Sequence, residues 1–173
     1  VWNHSGLQFP KGRYYEDLAT IPKLMANIKR VVYLQEVYYY YLMRDGSIMH
    51  SKNFTKNYED RTWAVDQLLE YFAKENLTET YRNELEYLVF ENTFFVPSKE
   101  IVLNDRKSEY LKKFRNYAYN KFPQMNKNYY VQQISGKDKI LLKLLQCRMY
   151  GIMVLMSQLR RMKDKLSGGS NRR

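Results

Sequence analysis

The sequence predicts a mainly α-helical chain with a few short strands toward its N-terminal end. Apolar residues recur at helical spacing through most of the chain beyond residue 55. Two short runs, Val31–Leu34 and Val37–Leu42, are instead β-branched and aromatic, the composition of strands. Hydrophobic residues make up 45% of the 173 residues, ample for a core.

In chain order, residues 1–15 read as irregular, punctuated by Gly6, Pro10 and Gly12. A helix is expected over 17–30, with Leu18, Ile21, Leu24, Met25 and Ile28 on one face. Pro22 belongs in or near its first turn, and either Asp17 or Thr20 is its N-cap. The two strands follow, joined around Gln35 and Glu36, and Gly46 then allows a tight turn over 44–47. Further helices are expected over 56–74, 78–92 and 105–121, the last stopped by Pro123. One long helix is expected over 137–166. Its positions Leu141, Leu145, Ile152, Leu155, Leu159, Met162 and Leu166 alternate steps of four and three, with Arg148 in the missing place. This seam reads as the stripe that packs on the other helices, and self-association through it is the alternative. The domain reading is a first region over 1–55, a helical region over 56–166 that is basic from about residue 98, and a disordered tail over 167–173.

Composition excludes several classes. One cysteine, Cys147, and two histidines, His4 and His50, leave no intrachain disulfide and no Cys- or His-based metal cluster. No apolar run approaches the roughly 20 residues of a membrane-spanning helix, and the first residues do not read as a signal peptide. A reducing cytoplasmic setting is expected. The absence of an initiating Met reads as a trimmed chain. The net charge of +11 is uneven: residues 1–97 carry −2 and residues 98–173 carry +13. The basic half is expected either to face a polyanion or anionic lipid, with tyrosines such as Tyr110, Tyr117 and Tyr129 interleaved, or to be a helical bundle with a basic exterior.

The pair Glu16-Asp17 stands out because two carboxylates sit where a loop enters a helix. There they meet free backbone N–H groups and the positive end of the helix dipole. Capping is one role. A carboxylate kept ionised at that place is also suited to act as a general base toward a hydroxyl that reaches it. Arg44 and Ser47 share a glycine-containing turn, a pairing suited to a departing diphosphate.

Trp2 and Asn3, then Phe9, Pro10 and Gly12, then Tyr15, Glu16 and Asp17, then the tyrosines at 38–41, then Arg44, Gly46 and Ser47 form an ordered series over about residues 1–50. The series resembles the later half of the catalytic domain of family 2 glycosyltransferases, bacterial enzymes of capsule, exopolysaccharide and teichoic-acid-like synthesis. The resemblance implies that residues 1–55 are the acceptor-side part of an α/β GT-A domain, followed by a helical bundle. It implies an inverting transfer of a sugar from a nucleotide sugar, such as a UDP-sugar, to a hydroxyl of a carbohydrate or lipid-linked acceptor. Asp17 would be the catalytic base, Glu16 would orient acceptor or base, and Arg44 and Ser47 would lie beside the donor diphosphate. Trp2, Asn3 and His50 would be further substrate contacts, whereas His4 stands where relatives often carry Lys.

The nucleotide-binding half of such a domain is missing from these residues, and no Asp-x-Asp occurs in them. A divalent cation, Mn or Mg, is expected for the full-length enzyme with ligands mostly outside this chain, and none in the chain itself. The chain alone is expected to be inactive. Its expected place is cytoplasmic, peripheral on the inner face of the membrane. The alternative reading is a basic helical module that binds nucleic acid or associates with itself, although no nucleic-acid recognition motif appears.

Overall fold

A computed structural model describes residues 5–40, 42 and 53–168 of the chain. Every regular element among them is helical. The order is α1 (Glu16–Ala26), α2 (Phe54–Lys74), α3 (Arg82–Phe90), a π-helical turn (Glu91–Phe95), α4 (Val96–Asn104), α5 (Glu109–Lys121), a 3-10 turn (Met125–Lys127), α6 (Tyr129–Gln133), α7 (Gly136–Gln146) and α8 (Tyr150–Gly168). The chain divides into two units, residues 1–81 and 82–173.

The expectation of an α/β GT-A domain is overturned: no strand and no sheet occur among the described residues. The segments Val31–Leu34 and Val37–Leu42 do not become strands. Where described, they lack regular structure, and their side chains stand in solvent, from Leu34 at 58% exposure to Tyr33 and Tyr40 at 85%. The physical reason is pairing. A strand satisfies its backbone N–H and C=O groups only against a neighbour, and an isolated hairpin is marginal in water. High β-propensity without a sheet face to pack on leaves an open chain. All the regular structure of the described residues is helical.

In the first unit α1 packs on α2. Helix α2 starts at Asn53, whose side-chain oxygen accepts the Lys56 N–H at 3.1 Å. Ala64, Val65, Leu68 and Phe72 follow at steps of one, three and four, and all are buried. The helix closes on Asn76, in the left-handed conformation at φ 57. The Leu77 N–H donates to the Phe72 carbonyl at 2.8 Å and the Asn76 N–H to Ala73 at 3.1 Å, the paired pattern that satisfies the last carbonyls. Helix α1 starts one residue before the expected position and ends at Ala26. Its N-cap is Tyr15 rather than Asp17 or Thr20, and Pro22 lies inside it.

In the second unit α3, the π-helical turn and α4 follow one another without a break, where the sequence predicts an end near Asn92. The Val96 N–H reaches the Glu91 carbonyl, five residues back. That widened turn lies just before Pro97, which has no N–H to donate. The buried Thr93 hydroxyl donates to the Val89 carbonyl at 2.7 Å. Around this turn Phe90, Phe94 and Phe95 are buried, and Phe90 stacks on Phe95 with ring centres 5.5 Å apart. Phe114 and Ala118 of α5 complete the same core, both fully buried. Asn128 ties α6 to α3. Its oxygen accepts the N–H groups of Tyr130 and Val131, while its Nδ2 donates to the Asn83 carbonyl and to Glu86.

The single long helix expected over 137–166 is two helices. Arg148 adopts φ 57, and the chain turns there. The Met149 N–H donates to the Leu144 carbonyl at 2.8 Å and the Arg148 N–H to Leu145 at 3.1 Å, repeating the closure seen at Asn76. The residue that interrupts the heptad pattern thus also ends α7. Its consequence for packing is that Leu145 is buried, whereas Ile152, Leu155, Leu159 and Met162 are exposed.

A side chain with a Cβ disfavours the left-handed conformation by about 1 kcal/mol relative to glycine. Arg148→Gly is therefore expected to stabilise the chain by about 1 kcal/mol, raising the unfolding midpoint by roughly 2–4 °C. Differential scanning calorimetry measures this, and an unchanged or lowered midpoint contradicts the assignment of strain to Arg148.

Candidate site at the entrance of helix α1

Asp60 lies on the second turn of α2 and is 1% exposed. Its two oxygens gather three donors. Arg13 Nη1 donates to Oδ1 at 2.8 Å, the Tyr14 backbone N–H donates to Oδ2 at 3.0 Å, and Lys56 Nζ lies 2.8 Å from Oδ2. Lys56 also donates to the Gly12 carbonyl at 3.2 Å and sits 4.5 Å from the Tyr14 ring centre. Arg13 lies over Trp63 at 4.9 Å, and Arg61 lies over Tyr15 at 4.4 Å. Each of residues 12–15 is thus held by a side chain from the first three turns of α2.

The clamp sets the backbone at the helix entrance. Gly12 takes φ 74, which glycine tolerates, and Tyr15 takes φ 61, which a tyrosine adopts only under constraint. From Tyr15 the chain enters α1, the Tyr15 carbonyl accepting the Ala19 N–H at 3.1 Å. Glu16 and Asp17 are its first residues, and both are exposed. Tyr15 offers no side-chain cap. One Asp17 oxygen accepts the Leu18 N–H at 2.8 Å, so the carboxylate takes up one of the free donors of the helix start. The two roles foreseen for the pair are compatible there: a local capping bond on one oxygen, and solvent access for the carboxylate.

Burial pushes the Asp60 carboxyl up, but the hydrogen bonds from Lys56, Arg13 and the Tyr14 N–H, with the charge of Lys56, outweigh it. The group is held below the ordinary carboxylate range. Since its folded value is the lower one, the stabilisation is complete at neutral pH. It is lost as pH falls from the unfolded value of about 3.9 through the folded one.

Of the residues singled out from sequence, Glu16 and Asp17 are side by side at this entrance. Trp2, Asn3, Arg44, Ser47 and His50 lie outside the described residues. Among the described residues no group of three or more His, Cys, Asp or Glu side chains is placed to hold a metal ion. No helix among the described residues is long and apolar enough to cross a membrane. No family model, no curated protein and no solved structure matches the chain.

Sequence reasoning missed the clamp, although a signal existed. Stepping back four residues from the buried Ala64 and Val65 lands on Asp60 and Arg61, charged residues on a core-facing stripe. Buried charges are rare unless paired, so that register already called for partners.

Asp60→Asn is expected to cost about 2–3 kcal/mol at neutral pH, from charge-assisted hydrogen bonds lost by a buried group. Arg13 and Lys56 are 42% and 36% exposed, so water takes up part of their charge and limits the effect. Urea unfolding at pH 7 and pH 3 is the check. The gap between wild type and variant should shrink toward pH 3, and a gap independent of pH contradicts the ionised clamp.

Proposed function

We propose that the chain is the acceptor-side part of an inverting sugar transferase, with Asp17 as the general base. The observation that supports it is the Glu16-Asp17 pair, exposed at a helix entrance whose approach is anchored by Asp60, within the ordered series that ends at Arg44 and Ser47. A rigid approach favours this role, because a general base works only at hydrogen-bond distance from the proton it takes.

In the proposed reaction an acceptor hydroxyl lies against the Asp17 carboxylate. As the acceptor oxygen attacks the anomeric carbon, its proton passes to Asp17. The bond from that carbon to the donor diphosphate breaks on the opposite side, and the nucleoside diphosphate leaves with the electron pair. The configuration inverts because attack and departure are on opposite faces. Glu16 orients the acceptor by accepting a second hydroxyl. Arg44 and Ser47 donate to the leaving diphosphate, a UDP in the simplest case. The acceptor class is a carbohydrate or lipid-linked hydroxyl in the assembly of a bacterial surface polysaccharide. Among the described residues no group of three or more His, Cys, Asp or Glu side chains is placed to hold a Mn or Mg ion, and no step above runs through a metal.

Asp17→Asn in the natural full-length protein should lower kcat by about 10²–10⁴-fold, the usual contribution of a positioned base. The donor KM should stay within about twofold, since Asp17 acts on the acceptor. Radiolabel transfer from nucleotide sugars to an acceptor extract measures both. Wild-type turnover in this variant would remove Asp17 from the mechanism.

A further inference from the structure

Helix α8 carries a face that nothing in its own unit covers. Its first turns pack on α4 and α7, and Met153 is buried at 3% exposure. On the other side stand Ile152, Leu155, Met156, Leu159 and Met162, each between 40% and 54% exposed. Their spacing of three, one, three and three places them on one stripe, roughly 120° wide at 3.6 residues per turn. A stripe this regular is not the scatter of single apolar residues found on any surface.

The charges around it select the occupant. Arg160, Arg161 and Lys163 share the turns of Leu159 and Met162, and all three are exposed. The one carboxylate on α8, Asp164, lies 3.8 Å from Arg160. By register Lys163 falls within the stripe, between Met156 and Leu159, and Arg160 lies just past its edge, whereas Arg161 is on the opposite face. Lys165, Arg172 and Arg173 add positive charge in the sequence, and residues 98–173 carry +13. A second copy of this helix would bring like charges against one another along the seam. An anionic lipid surface meets both features, burying the stripe among acyl chains while the cations reach headgroup phosphates.

We propose that α8 is an interfacial membrane-docking helix. It lies in the plane of an anionic bilayer on the Ile152–Met162 stripe, with Arg160 and Lys163 reaching lipid phosphates. It does not span the bilayer, in keeping with the absence of any sufficiently long apolar helix among the described residues. The docking face belongs to α8 alone and does not depend on the sugar-transfer reading.

Flotation of the intact chain with vesicles tests this. The vesicles are phosphatidylglycerol and phosphatidylcholine at about one to three, beside phosphatidylcholine alone, at roughly 0.1 M and 0.5 M salt. Expected are binding to the anionic vesicles and at least tenfold weaker partitioning to the neutral ones or at the higher salt. The pair Leu155→Glu and Leu159→Glu, both exposed and so harmless to the core, should lower binding to anionic vesicles about tenfold or more with an unchanged unfolding midpoint. Arg160→Gln with Lys163→Gln should weaken binding to the anionic vesicles alone. Absence of binding to anionic vesicles overturns the proposal, as does equal binding by the Glu variant. A vesicle-free dimer in sedimentation that the Glu variant dissociates also overturns it, because a second copy then covers the stripe.

Discussion

A buried carboxylate on α2 is the constraint on which the first unit depends. Asp60 would be costly in a core without partners, since an unpaired buried charge is strongly disfavoured. It is stable there because Arg13, Lys56 and the Tyr14 N–H converge on it. The dependence runs both ways. Residues 12–15 have no helix or sheet of their own, and the clamp is what fixes their path. The left-handed Tyr15 is the local expense of that path, offset by the packing of its ring under Arg61. Glu16 and Asp17 inherit their position from it.

The helix ends follow a different rule, in which left-handed residues with side chains do the work of glycine. Asn76 and Arg148 close α2 and α7 with the same pair of backbone bonds. Asparagine is the usual second choice at such a position, and arginine is not. The break at Arg148 separates Leu145 of α7, which reaches the core, from Ile152, Leu155, Leu159 and Met162 of α8, which face outward. Pro97 illustrates the opposite outcome. A proline that ought to stop a helix is carried through by one widened turn, and the Phe90, Phe94 and Phe95 cluster packs around it.

How far the sequence could be read depended on whether the partner of each residue was nearby in the chain. The faces of α2 and α5 were legible because Val65, Leu68, Phe72, Phe114 and Ala118 repeat within a few residues. The N-cap of α1 was misplaced because Tyr15 is held there by Arg61, 46 residues away, and carries no capping group of its own. The strands over 31–42 were misread because propensity reports fitness for a sheet and not the presence of one. The heptad seam was real as a pattern, but a single backbone angle at Arg148 divided it. At the candidate site Glu16 and Asp17 were visible in the sequence, while Asp60, which anchors their approach, was hidden among the helical periodicity of α2.

Amide hydrogen exchange at Tyr14 tests the clamp most directly, because that N–H belongs to no helix and is protected only through Asp60. The account predicts that Tyr14 exchanges as slowly as amides in the middle of α2, and that Asp60→Asn frees it while the Leu68 amide remains protected. Exchange of the Tyr14 amide at the rate of an open chain in the wild type would contradict it.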